Sequence, residues 1–146
     1  MPIEPAKSVE INDYCDTIED CYEFTLSYAA KGLATDDGND LGRQLREKLT
    51  NAASAMRKLS VGCAAVMREL QLAPAEKYES FFAVLERDAA SSVAAIELVL
   101  AQPVISSQLI DNLNASIHLR ALLTDLFLIS EILTARQNEA KTAPSR

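Results

Sequence analysis

The sequence predicts an all-α protein: an antiparallel, up-down-up-down bundle of four long helices. Three observations predict it. Breakers are scarce, with four Gly and five Pro in 146 residues, and aromatics are only 5%, so neither tight β-turns nor aromatic strands are provided for. Apolar residues recur in alternating steps of three and four along most of the chain. Away from the two ends of the chain, the strongest breakers fall around "TDDGND", "LAPAEK" and "AQPVIS". A chain of this length forms one domain with a real core. That domain is assigned to residues 1–138, followed by a flexible tail over 139–146.

The first helix is expected from Ser8 to Leu33. Ile11, Tyr14, Ile18, Cys21, Thr25 and Tyr28 carry its period, and the short polar side chains and Gly of "TDDGND" end it. The second is expected from Asp40 to Gln71, capped by Asp40. Its seam, Leu41, Leu45, Leu49, Ala52, Met56, Leu59, Cys63, Val66 and Leu70, alternates steps of three and four after the first, an average of about 3.5 residues, the repeat of helices packed nearly parallel. Pro74 suits the first turn of the third helix, where its missing N–H is not needed. Tyr78, Phe82, Leu85, Ala89, Ser92, Ile96 and Val99 carry the third period, and Pro103 interrupts the chain again. The small residues Ala52–Ala55 and Ala90–Ala94 lie at similar distances from the Pro74 turn, so the second and third helices approach closely there.

The fourth helix, expected to run to Gln137, is apolar almost all the way round. Ile117, Ala121, Leu128, Ile132 and Ala135 form one stripe. Leu119, Leu122, Leu126, Ile129 and Leu133 form a second, centred about 140° away. One bundle core covers one stripe and part of the other. The second stripe is therefore assigned to a contact between chains, because several exposed large aliphatics would make an unusually big patch.

The formal net charge of −7 opposes direct attraction to phosphate backbones or anionic lipid, so nucleic acid is expected only through a partner. Charge is unevenly spread. Residues 1–35 hold seven acids against two lysines, net −5, and residues 36–71 hold six basic residues against five acids, net +1. The simplest consequence is pairing of an acidic first helix with a basic second one. The functional alternative is a basic strip of Arg43, Arg46, Arg57, Lys58 and Arg68 that docks a partner. No apolar run is long enough to span a membrane, and no basic start followed by an apolar run marks an export signal, so a cytoplasmic location is expected.

Catalytic chemistry is sparse. Cys15 and Cys21 lie six apart, about 240° round a helix, so their thiols diverge and cannot share a metal; with Cys63 they read as core filling. The lone His118 shares a face with Asp111 and Asp125, but at seven-residue spacing, about 10.5 Å, which no common metal site spans. It reads as a surface residue. No phosphate-cradling loop, nucleophile elbow or metal-spaced Cys/His set occurs, so no cofactor and no metal are expected.

Residues 41–101 resemble the small bacterial four-helix proteins encoded in 23S ribosomal RNA intervening sequences, a group that includes the accessory variability determinant of diversity-generating retroelements. The resemblance rests on "LGRQLREKLTNAASAM", with Leu41, Gln44, Leu45, Arg46 and Ser54. It rests also on "FAVLERDAASSVAAIELVL", with Phe82, Ala89, Ser92, Glu97 and Leu100. It implies a four-helix bundle that forms homo-oligomers and, for the accessory determinant, work beside a reverse transcriptase. That determinant is strongly basic, whereas this chain is acidic. "HLRALL" also resembles histidine phosphotransfer domains around His118, without the Gly and Lys that usually follow the His there. The leading functional expectation is a non-catalytic bundle that self-associates and docks a protein partner. The alternatives are an accessory subunit of a nucleic-acid enzyme and a phosphotransfer protein.

Overall fold

The computed structural model describes residues 6–142, with side-chain environments over 10–139. It is all-helical, with five helices: α1 (Ala6–Ala30), α2 (Asp40–Leu70), α3 (Ala75–Leu100), α4 (Ser107–Asn114) and α5 (Ile117–Thr142). No helix among the described residues is long and apolar enough to cross a membrane.

α1 packs along α2, α2 along α3 and α3 along α5, while the short α4 packs against α1. Side-chain pairings fix the directions. Lys48 on α2 reaches Asp20 on α1, and the α2 glycine Gly62 lies against Tyr14 and Ile11, so α1 and α2 are antiparallel. Met56 and Arg57 share a groove with Val93 and Ser60 shares it with Glu86 and Ala89, while Arg57 pairs with Glu97. α2 and α3 are thus antiparallel. Tyr78 meets Arg136 and Asp88 meets Asp125, which makes α3 and α5 antiparallel too.

The expected fourth helix is two. It breaks at Ala115–Ser116, between α4 and α5. At the break the side-chain amide of buried Asn114 donates to the Thr25 carbonyl at 3.0 Å, tying the end of α4 to α1. The break lets eight residues lie on α1 while the rest of the segment packs on α3. Nothing in the 3–4 period of the sequence signals it, because no Gly or Pro stands there.

Smaller corrections follow from local hydrogen bonding. α2 is capped one residue earlier than expected: the Asn39 side chain accepts from Gly42 N at 2.7 Å, and Asp40 is the first helical residue, paired with Arg43. α1 ends at Ala30, and Gly32 beyond it takes φ +66, a conformation that favours glycine. α5 continues to Thr142, into the expected tail, whose last four residues, 143–146, lie outside the described residues.

The core draws on all five helices. Tyr28, Ile18, Leu45, Leu49, Leu59, Leu85, Ile96, Ile110, Leu122, Leu126 and Ile129 are essentially sealed from water. Each such burial contributes about 1.5–3 kcal/mol. The void lined by Ile18, Leu49, Ile96, Leu113 and Leu119 measures only about 10 Å³, too little for more than one water, so the helices interlock closely around the α4–α5 break.

Candidate functional site

The most heavily bonded polar structure joins two loops at one end of the helices. The loop after α1 brings Asp36 inward, where it is 6% exposed. Arg46 Nε donates to Asp36 Oδ2 at 2.6 Å, and the Ile105 N–H donates to Oδ1 at 2.7 Å. The rest of the guanidinium donates to the carbonyls of Leu100 at 3.2 Å and Gln102 at 3.1 Å, so one Arg on α2 holds both the loop behind it and the loop after α3. Burial works against the Asp36 charge, but Arg46 and the Ile105 N–H hold its pKa below the ordinary value. The Tyr28 hydroxyl donates to the Ile105 carbonyl at 2.8 Å, and burial, then the Asp36 charge, raises its pKa. Ser107 completes the clasp: its Oγ donates to the Tyr28 carbonyl at 2.6 Å and accepts from Leu33 N at 2.8 Å, and its own N–H donates to the Leu33 carbonyl. Gly42 is required here, because a Cβ at that position would fall on the Asp36 carbonyl. The Asp36 carboxylate, the Tyr28 hydroxyl and the Ser107 hydroxyl are all turned inward and bonded, and Arg46 donates to that carboxylate and to loop carbonyls, so the chemistry of the clasp is architectural.

The second polar feature lies between α3 and α5. Asp88 and Asp125 face each other across the helix pair. Desolvation, and then the hydrogen bond and charge of Asp88, push the Asp125 pKa up from 3.8 to about 7. Two carboxylates in contact cannot both ionise cheaply, so the pair holds one proton near neutrality. Oδ2 of Asp125 is buried and has no other partner. The sequence relates Asp125 to His118 and Asp111, but its true neighbour is on another helix. Asp111 sits on α4, across the break from His118, and both are exposed.

The structure relocates the residues expected to carry function. Leu119, Leu122, Leu126, Ile129 and Leu133, expected between chains, are all 5% exposed or less within the single chain. They form the face that α5 turns to the core. The other stripe, expected inside, is the outer one: Ile117 is 74% and Leu128 52% exposed, with Phe127 beside them at 57%. The two stripes were legible, but which of them faces inward was not. The two-residue break at Ala115–Ser116 resets the rotation of α5 relative to α4, and one helix's period carries no information about that.

The expected basic strip is likewise divided. Arg46 is the hub of the clasp, Arg57 pairs with Glu97 on α3 at 2.7 Å, and Arg43 pairs with Asp40 on its own helix. Lys58 and Arg68 are exposed. Of the pairing expected between α1 and α2, Lys48 provides a 2.6 Å bridge to Asp20 and also lies over the Phe24 ring. An open groove of about 440 Å³ beside it is lined by Asp16, Asp20, Gln44, Glu47 and Asn51.

Cys15, Cys21 and Cys63 are free and buried, and burial pushes all three thiols up to about 12. They are therefore poor nucleophiles. No group of three or more metal-ligating side chains occurs among the described residues. The residues the sequence missed, Asp36, Ser107, Asn114 and Asp88, act through partners on other elements, 10 to 89 positions away. The chain matches no protein-family model, no curated protein sequence and no solved structure.

Proposed function

We propose that this chain is a non-catalytic helical-bundle interaction protein that self-associates. In this reading α4 and α5 together serve as the fourth member of an up-down-up-down bundle. The observation that carries the reading is the outer face of α5, where Ile117, Phe127 and Leu128 stand 74%, 57% and 52% exposed on one helix. Other exposed large apolar residues, Leu26 on α1, Val61 on α2, Leu98 on α3 and Val104 in the loop after it, stand singly and need no partner. A concentration of three on one helix marks an interaction surface. The charged faces outside that contact are what a further protein partner would meet, and the three free, buried thiols suit a reducing compartment.

Light scattering on the full chain, from low to high micromolar concentration, tests the reading. The expected result is a mass rising above the 15.9 kDa of one chain. A single-chain mass throughout would refute it.

A further inference from the structure

The outer face of α5 is ordered in a way that specifies what covers it. We propose that it packs against the same face of a second copy, antiparallel, about a two-fold axis that runs between the two α5 helices, perpendicular to both and level with the midpoint of Asp125 and Leu126. The proposal rests on the self-association reading and adds its surface and geometry.

The face has a centre and a flank. By the 100° rule Ile117, Ala121, Thr124 and Leu128 fall within about 60° of one another, and this is the centre. Ala121 and Thr124 are small and stand in its middle, so two such helices can approach at the short end of the usual 8–10 Å. Arg120, Phe127 and Glu131, all exposed, fall together along one edge.

In a contact with a two-fold axis perpendicular to the helices, each edge meets the same edge of the other copy in reverse order. With the axis between Asp125 and Leu126, Arg120 stands opposite Glu131 of the second copy, and Glu131 opposite its Arg120. Between these two ion pairs the two Phe127 rings lie side by side, offset by about 4.5 Å along the axis. The edge therefore complements itself in both charge and apolar content. A parallel pairing instead lays this edge on the opposite one, which carries His118 and Asp125, and loses both ion pairs.

The charge of the rest of the molecule points the same way. On α1, Asp13, Asp16, Asp20 and Glu23 are exposed, so a contact between copies there would set acid against acid. The α5 edge balances one cation with one anion. Asp125 lies on the far edge, and the proton it shares with Asp88 limits the charge there. A contact of one helix on one helix is at the low end of specific interfaces, which begin at roughly 1,200 Å², so the dimer should be concentration-dependent.

Sedimentation equilibrium on the full chain tests the proposal, with circular dichroism to show that each variant keeps its helices. Arg120→Glu alone and Glu131→Arg alone each set like charges together and should weaken the dimer about tenfold or more. The double variant Arg120→Glu with Glu131→Arg restores both pairs and should recover wild-type association. If the wild type self-associates but the single variants match it, or the double variant is no better than the singles, this surface is wrong while self-association stands. A wild type that stays a single chain at high micromolar concentration overturns both.

Discussion

Replacing Asp125 by Asn should make the protein more stable at neutral and alkaline pH and should flatten its pH dependence. In the folded chain Asp125 titrates at about 7 instead of 3.8, because burial and Asp88 both disfavour its charge. Below about pH 4 the carboxyl is protonated in both the folded and the unfolded chain and contributes nothing to pH dependence. As pH rises from there to about 7, the unfolded chain releases a proton that the folded chain keeps. Folding is then progressively disfavoured by about 1.36 kcal/mol per pH unit. The ceiling over that window is about 4 kcal/mol. Asp125 keeps part of its surface in water, and screening there reduces the expected figure to about 1–2 kcal/mol. The Asn side chain is neutral throughout and can donate to Asp88, so the variant escapes the loss. Urea unfolding at about pH 5 and about pH 8 measures it: with a slope of about 1–3 kcal/mol per molar, the variant's midpoint should exceed the wild type's by about 0.5–1 M at the higher pH. The two should converge on acidification. An equal pH response in wild type and variant would refute the shared-proton reading of the pair.

Four further outcomes are expected. Arg46→Met leaves the Asp36 carboxylate buried without its cation and should cost about 2–3 kcal/mol, less than a fully buried pair because Arg46 is partly exposed. Asp36 has a lowered pKa, so its contribution is present above about pH 4 and fades on acidification, and the gap between wild type and this variant in thermal melts should narrow there. Gly42→Ala drives a Cβ into the Asp36 backbone and should lower stability by about 1–3 kcal/mol, whereas Gly62→Ala, whose Cβ meets Tyr14 and Ile11 at ordinary distances of 3.5 and 3.7 Å, should raise it by about 0.5–1 kcal/mol. Thiol titration should find none of the three cysteines reactive in the native protein at mildly alkaline pH and all three reactive in urea.

The helices were legible because their signals are local. The period of Leu45, Leu49, Met56, Leu59, Cys63 and Val66 is the buried seam of α2, and Pro74 stands immediately before α3. The breakers around "TDDGND" and Pro103 also fall in the two loops of the clasp. What the sequence hid is relational. Arg46 looks like any surface cation until the loop after α1 brings Asp36 beneath it, and Asp88 looks solvated until α5 sets Asp125 against it. The break at Ala115–Ser116 has no breaker of its own. It follows from the competition of α1 and α3 for one segment, with Asn114 bonded to Thr25 on the α1 side. The inversion of the two α5 stripes is the consequence. Both are apolar enough to be core, and only the rotation imposed at the break decides that Leu122 and Leu126 go inward and Leu128 outward.

The two faces of α5 carry the account, and one pair of substitutions two residues apart tests them most directly. Leu126 is 1% exposed and Leu128 52%. Leu128→Lys should give a single-chain particle by sedimentation that retains wild-type helicity, because a lysine there meets only water once the second copy is gone. Leu126→Lys should instead lose its helical dichroism, because the ammonium would be buried in the apolar core without a counter-charge. A folded Leu126→Lys variant that merely dissociates, or a Leu128→Lys variant that associates as the wild type does, would contradict the assignment of the two faces.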